Sequence, residues 1–132
     1  MKKILITTGG TGGHVIPATI IDEHLKDSFQ IYYSTDFRGS KYLSKHVRNI
    51  VIFDTPRLNL NIFLPLNLLK IIFLIFKSAF FLKKEKIEKV ISIGGYMSIP
   101  VIISAKILGL TIFLLEPNFV LGRGNKLSLI HI

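Results

Sequence analysis

Three short stretches of this chain carry groups suited to handling an anion and a proton. The first, Gly9-Gly10-Thr11-Gly12-Gly13-His14, is a glycine-rich turn that ends in a histidine. Glycine reaches positive φ without strain and lets a ligand approach the main chain. A helix opening there would offer unpaired N–H groups and a partial positive charge to an anion. The turn is not a Walker A sequence, because no Gly-Lys-Ser/Thr follows. It is not Gly-x-Gly-x-x-Gly either, since counting from Gly10 puts Val15 where the third glycine belongs. The second stretch is Gly94-Gly95-Tyr96-Met97-Ser98-Ile99-Pro100, and the third is Glu116-Pro117-Asn118, followed by Gly122, Asn125 and Lys126. His14 can accept a proton near neutral pH; alternatively it only hydrogen-bonds to its loop. Glu116 can orient a substrate or hold nearby backbone.

The elements around these stretches follow from periodicity. Lys3 to Thr8 is a β-branched and aliphatic run stopped by glycines, which reads as a buried strand. Pro17 suits the first turn of a helix running to about Lys26, with Ile20, Ile21 and Leu25 on its apolar face. Phe29 to Ser34 and Asn49 to Asp54 read as strands, with a short polar helix over Lys41 to Arg48 between them. Lys89 to Ile93 is a further strand ended by Gly94-Gly95. Ser98 to Leu108 reads as a helix, with Ser98 as N-cap, Pro100 in the first turn and Gly109 as the C′ residue. Leu110 to Leu115 is the last strand. Strands alternating with helices, with glycine turns after the strands, predict a doubly wound α/β sheet.

Ile62 to Leu82 is long and apolar enough to span a bilayer. Its aliphatic and aromatic residues favour insertion by roughly 0.3–0.6 kcal/mol each, and each central lysine opposes it by about 2.5–3.5 kcal/mol. Hydropathy is therefore close to balanced, and topology decides. A span would put the early and late strands on opposite sides of a membrane and break the sheet. The better reading is a helix from about Leu68 to Lys84, one face on the sheet and the other turned to a lipid surface. Lys70 and Lys77 lie seven apart on one side, near Phe73 and Phe80, and Lys83, Lys84 and Lys86 follow.

With 132 residues the chain is one domain by length, and its 49% hydrophobic content excludes a disordered tail. It has no cysteine, and its four histidines are scattered, so neither disulfides nor a metal cluster are expected. The formal charge of +9 comes mostly from lysine. Nucleic-acid binding would call for arginine and aromatic side chains interleaved on one face, and no segment shows that. Attraction to anionic lipid is the better use of the charge. No signal peptide precedes the first strand, so a cytoplasmic start is expected.

The complete string from Gly9 to Ala18 closely resembles the first glycine loop of the MurG family, the undecaprenyl-diphospho-muramoyl-pentapeptide β-N-acetylglucosaminyltransferases. Gly94 to Pro100 is similar to that family's second glycine loop, and Glu116-Pro117-Asn118 with Gly122, Asn125 and Lys126 is similar to a third element. Order and spacing agree from Lys3 to about Leu127. The resemblance implies an inverting GT-B transferase whose Rossmann-like N-terminal half, residues 1–127 here, binds a lipid-linked muramoyl-pentapeptide acceptor. UDP-N-acetylglucosamine would be the donor substrate, with no cofactor or metal. By the same resemblance Thr11, Gly12, Gly13 and Asn118 contribute donor contacts. The loops at Gly12-Gly13 and Gly94-Gly95, with Tyr96 and Ser98, face the acceptor diphosphate. His14 is then the candidate general base and Glu116 a second candidate catalytic group. Lys70, Phe73, Lys77, Phe80 and Lys84 would contact the anionic cytoplasmic face of the bacterial inner membrane, making the protein peripheral.

Two departures qualify the match. The family usually reads His-Glu-Gln-Asn where this chain has Leu115-Glu116-Pro117-Asn118, which removes two polar groups from the cleft wall. The tail Ser128 to Ile132 does not look like the family's continuation, and no donor-binding half follows it. The expectation is a chain unable to transfer sugar alone: a truncated transferase, or a membrane-docking subunit of a two-chain enzyme. A GT-B transferase acting on another lipid stands as the remaining alternative.

Overall fold

The computed structural model describes residues 1–43, 49–56 and 60–116. Five strands, β1 (Lys2–Thr7), β2 (Phe29–Thr35), β3 (Ile50–Ile52), β4 (Lys89–Ser92) and β5 (Thr111–Leu114), form one sheet. All four pairings are parallel, and the strand order is β3-β2-β1-β4-β5. Parallel strands need crossovers, supplied by α1 (Gly12–Leu25), α3 (Leu64–Lys84) and α4 (Ser98–Ile107), with a short α2 (Phe37–Ser40) after β2. This is the doubly wound sheet that the alternation of elements predicts.

Side-chain alternation along the strands divides the core in two. Ile4, Ile6, Tyr33, Ile91 and Ile93 pack with Val15 and Ala18 of α1. Leu5, Tyr32 and Val90 pack with Leu74 and Leu82 of α3 and Val101 and Ala105 of α4. α3 and α4 also meet directly, the Ser104 hydroxyl donating to the Ile75 carbonyl at 2.6 Å.

Tyr33 is 1% exposed between the sheet and α1, and its hydroxyl donates to the Ala18 carbonyl at 3.4 Å. Burial pushes its phenol well above the ordinary range, and nearby Asp22 adds to the effect. The folded chain thus keeps Tyr33 neutral where the unfolded chain ionises it, so stability falls as pH rises past about 10. Tyr33→Phe removes that part of the alkaline loss. Urea midpoints at pH 8 and pH 11 check this: a decline as steep in the variant as in the parent would refute it.

The pairing of β1 with β4 settles the long apolar helix. Ile4 pairs with Lys89 and Thr7 with Ser92, so the strands before and after α3 are neighbours in one sheet. α3 is a crossover, although its length and composition would suffice to cross a membrane. It begins at Leu64, four residues earlier than its hydrophobic pattern suggests, because Pro65 fits its first turn and Asn61 accepts from the Phe63 N–H at 3.0 Å. Only a narrow stripe, Ile71, Leu74, Ser78 and Leu82, is fully buried. Phe73, Phe76 and Phe80 are 66%, 71% and 69% exposed on the opposite side. At about 100° per residue, Lys70, Lys77 and Lys84 run down one border of that apolar face. Lys77 also leans back, its Nζ 5.6 Å from the Phe53 ring centroid.

Three local expectations need correction. Pro17 is not in a first turn: α1 already begins at Gly12, so Gly12 and Gly13 are helical and Pro17 lies in the second turn. Its missing N–H leaves the Gly13 carbonyl without its i→i+4 bond. Ser98 is the first helical residue, not the N-cap; Met97 takes that place, and the Ser98 hydroxyl donates to the Gly95 carbonyl at 2.6 Å. The short helix after β2 occupies Phe37–Ser40 ahead of Lys41, capped by Asp36; Ser44 to Arg48 lie outside the described residues. Gly109 follows α4 at φ +71, as a C′ glycine should.

Candidate functional site

Register brings the two glycine loops and Glu116, the first residue of the third motif, to one edge of the sheet. Thr7 pairs with Ser34 on one side and Ser92 on the other, and Ser92 pairs with Leu114. Two residues beyond that row stand Asp36, Gly9, Gly94 and Glu116. The central strands also change character at this edge, from Ile, Leu and Val to the buried hydroxyl residues Thr7, Thr8, Ser34, Thr35 and Ser92. β1 leads to β2 in one direction and β4 to β5 in the other, so the crevice between the ends of β1 and β4 is the sheet's topological switch point. That is where open α/β sheets bind ligands.

The two glycine loops close on each other at this crevice. Gly94 and Gly95 have φ of +99 and +95, which other residues rarely adopt. The Met97 side chain, 3% exposed, fills the space beneath both loops: a Cβ on Gly9 would lie 2.9 Å from its Cε. A Cβ on Gly95 would come 2.8 Å from Met97 Sδ. A side chain at either place would have to displace the end of Met97, and at Gly95 it would also be strained by the positive φ. Gly12 and Gly13 open α1 ahead of its first backbone bonds, which His14 and Val15 N–H make to the Thr11 carbonyl, so the two glycine N–H groups are the ones available to an anion.

His14 is half-buried in the first turn of α1, and its Nδ1 lies 3.1 Å from the Thr11 hydroxyl. If Nδ1 carries the proton and donates it to Thr11 Oγ1, Nε2 on the other edge of the ring is the proton acceptor. The Thr11 hydroxyl can donate or accept, so the contact fits either tautomer, and a base role at Nε2 needs the one with Nδ1 protonated. The Ser98 hydroxyl is buried and spent on the Gly95 carbonyl, so Ser98 shapes the second loop. Tyr96 is half-buried beside it. Glu116 follows β5 directly, Leu115 N–H donating to the Ser92 carbonyl at 2.7 Å, which carries this carboxylate to the same edge as Gly94. Asn118 and the rest of the third motif, with the tail from Ser128, lie outside the described residues. Among the described residues no three His, Cys, Asp or Glu side chains gather as a metal site.

Asp36 escaped the sequence reading. Its buried carboxylate accepts from the Gly39 N–H at 2.6 Å and, across the loops, from the Gly10 N–H at 3.1 Å. Arg38 donates to it from Nε and Nη2, both at 3.3 Å. The available signal was an acidic residue at the end of the second strand, where dinucleotide-binding sheets keep a ribose-binding carboxylate. Here its Oδ1 is turned onto the first glycine loop and its Oδ2 onto Arg38.

Comparison with known proteins agrees with this geometry. Residues 4–129 match the glycosyltransferase family 28 N-terminal domain. The chain belongs to glycosyltransferase family 28. A Pelagibacter ubique relative, 53% identical over 97% of this chain, is named UDP-N-acetylglucosamine--N-acetylmuramyl-(pentapeptide) pyrophosphoryl-undecaprenol N-acetylglucosamine transferase. A Rickettsia prowazekii relative with the same name is 39% identical over 96% of the chain. The chain spans 36% and 32% of these two relatives, about a third of their length. Among solved structures, Acinetobacter baumannii MurG superimposes with a TM-score of 0.85 over 98% of this chain and 39% of that protein, at 24% identity. That likeness confirms the family 28 fold: a Rossmann-like doubly wound sheet, the N-terminal half of a GT-B arrangement.

Proposed function

We propose that this chain is the acceptor-binding half of an enzyme that transfers N-acetylglucosamine from UDP-N-acetylglucosamine to undecaprenyl-diphospho-muramoyl-pentapeptide, in peptidoglycan synthesis. The observation that carries the proposal is the convergence of both glycine loops and His14 at the switch point, in a chain 53% identical to a transferase of that name. The Gly12 and Gly13 N–H groups at the start of α1 suit a diphosphate, and Thr11, Gly12, Gly13, Gly94, Gly95 and Tyr96 line the approach, with Asn118 assigned to the donor side. His14 Nε2 takes the proton of the acceptor hydroxyl as its oxygen attacks the anomeric carbon. The bond from that carbon to the UDP oxygen breaks, and UDP leaves with the electron pair. Glu116 stands at the same edge, placed to orient substrate.

The outer face of α3 supports a place for this reaction. Phe73, Phe76 and Phe80 bordered by Lys70, Lys77 and Lys84 match an interfacial contact with an anionic bilayer, here the cytoplasmic face of the inner membrane. An acceptor anchored in that bilayer would then reach the crevice at the strand ends.

The test joins this chain to the remainder of the Pelagibacter ubique relative. We expect the chimera to transfer labelled N-acetylglucosamine to the lipid-linked acceptor in vesicles. His14→Ala should lower kcat about a hundredfold or more with an unchanged melting temperature. A folded chimera that transfers nothing, beside an active parent, would overturn the assignment. An active chimera indifferent to His14→Ala would leave the function standing and remove the base.

A further inference from the structure

Among the described residues, Arg38 is the strongest charged feature at the crevice edge that the reaction above leaves unused. It sits on α2, and a Cβ on Gly10 would lie 3.8 Å from its Nη2, so the guanidinium lies against the first glycine loop. Its side chain is 58% exposed, while the carboxylate that holds it is 7% exposed. Two of its donors, on Nε and Nη2, point at Asp36 Oδ2. A guanidinium has five N–H donors in a fixed plane, so the edge formed by Nη1 and the second Nη2 hydrogen remains. That edge matches two oxygens of a phosphate.

The same carboxylate that aims Arg38 also accepts from the Gly10 and Gly39 N–H groups. One buried group therefore holds both, the loop through Oδ1 and the cation through Oδ2. A long side chain on an exposed turn would otherwise lose much of its binding to rotamer freedom. The close approach of Gly39 to Gly9 draws the turn that bears Arg38 against the loop: a Cβ on Gly39 would lie 2.9 Å from Gly9 Cα.

We propose that Arg38 is a binding residue for a diphosphate at the first glycine loop, and that Asp36 is its positioning residue. This rests on the acceptor-binding reading for the source of that diphosphate, a polyprenyl-linked one; the diphosphate of a UDP-sugar offers the same chemistry.

The experiment titrates the 15N-labelled chain with farnesyl diphosphate below its micelle concentration and, separately, with UDP. Amide and arginine Nε resonances are followed by NMR. With farnesyl diphosphate, the Gly10, Gly12, Gly13 and Arg38 Nε signals should move together. Arg38→Gln and Asp36→Asn should each weaken binding about tenfold or more, since charge-assisted bonds of this kind are lost. Arg38→Lys, which keeps the charge but not the fork, should recover little. Lys106→Gln, at the far end of α4, should bind as the parent does. Melting temperatures of all variants show whether each is folded, and Arg38→Gln, on an exposed side chain, keeps the test open if Asp36→Asn is not.

If UDP, and not farnesyl diphosphate, binds in an Arg38-dependent way, the diphosphate site stands and the acceptor reading falls. The proposal is overturned if neither ligand moves these signals, if Arg38→Gln binds as tightly as the parent, or if Lys106→Gln weakens binding equally.

Discussion

Charge reversal at Lys70, Lys77 and Lys84 should lower binding of this chain to anionic vesicles by about a hundredfold at low salt. Each lysine near an anionic surface contributes about 1 kcal/mol, so losing three attractions costs about 3 kcal/mol before any added repulsion. A tenfold change corresponds to about 1.4 kcal/mol, which gives the expected size. The effect should shrink as salt approaches ~1 M, where the Debye length falls to about 3 Å. Replacing Phe73, Phe76 and Phe80 with Ser should weaken binding at every salt concentration, because burial of apolar area is not screened. Lys77 also lies over the Phe53 ring, so its reversal carries a stability cost of about 0.5–1 kcal/mol that a melting curve separates from docking. Co-sedimentation with phosphatidylglycerol vesicles gives the answer. Equal binding by parent and triple-reversal chain at low salt would mean that this face meets something other than an anionic bilayer.

The second large effect is steric. Gly39→Ala should destabilise the chain by about 3 kcal/mol, which lowers the melting temperature by roughly 10 °C for a chain of this size. The added methyl would meet Thr35 Oγ1 and the Gly9 backbone, neither of which is the movable end of a long side chain. Gly39 also gives its N–H to Asp36 at 2.6 Å, so any displacement loosens the carboxylate that holds Gly10. Gly109→Ala provides the contrast. Nothing lies within 4 Å of a Cβ there, and only its φ of +71 opposes a side chain, a cost of about 1–2 kcal/mol. If thermal unfolding shows Gly39→Ala milder than Gly109→Ala, the close approach of the two loops is not as described.

Strand positions were legible in the sequence because buried parallel strands are short apolar runs, and glycines punctuate them. Helix starts were less legible. The glycines of Gly12-Gly13 read as turn because glycine is a poor helix former, yet in the first turn their N–H groups need no helical partner. Ser98 read as an N-cap by type, but the turn before it, made by two glycines at positive φ, puts the Gly95 carbonyl within reach of its hydroxyl.

The sequence by itself determined the doubly wound architecture, the two glycine loops with His14, and the lysine spacing on the long helix. These are local patterns, carried by residue type and period within a few turns of chain. The strand alternation already argued that the long apolar helix returns to its own sheet, and the tertiary structure supplied the pairing that makes it so, β1 with β4 across about eighty residues. Only the tertiary structure decided which residues of that helix are covered, Ile71, Leu74, Ser78 and Leu82, because a helix apolar nearly all round does not announce the stripe its neighbours will take. The Asp36 bridge to Gly10 belongs to the same class: the two residues lie 26 apart in the chain, and only parallel register sets them side by side.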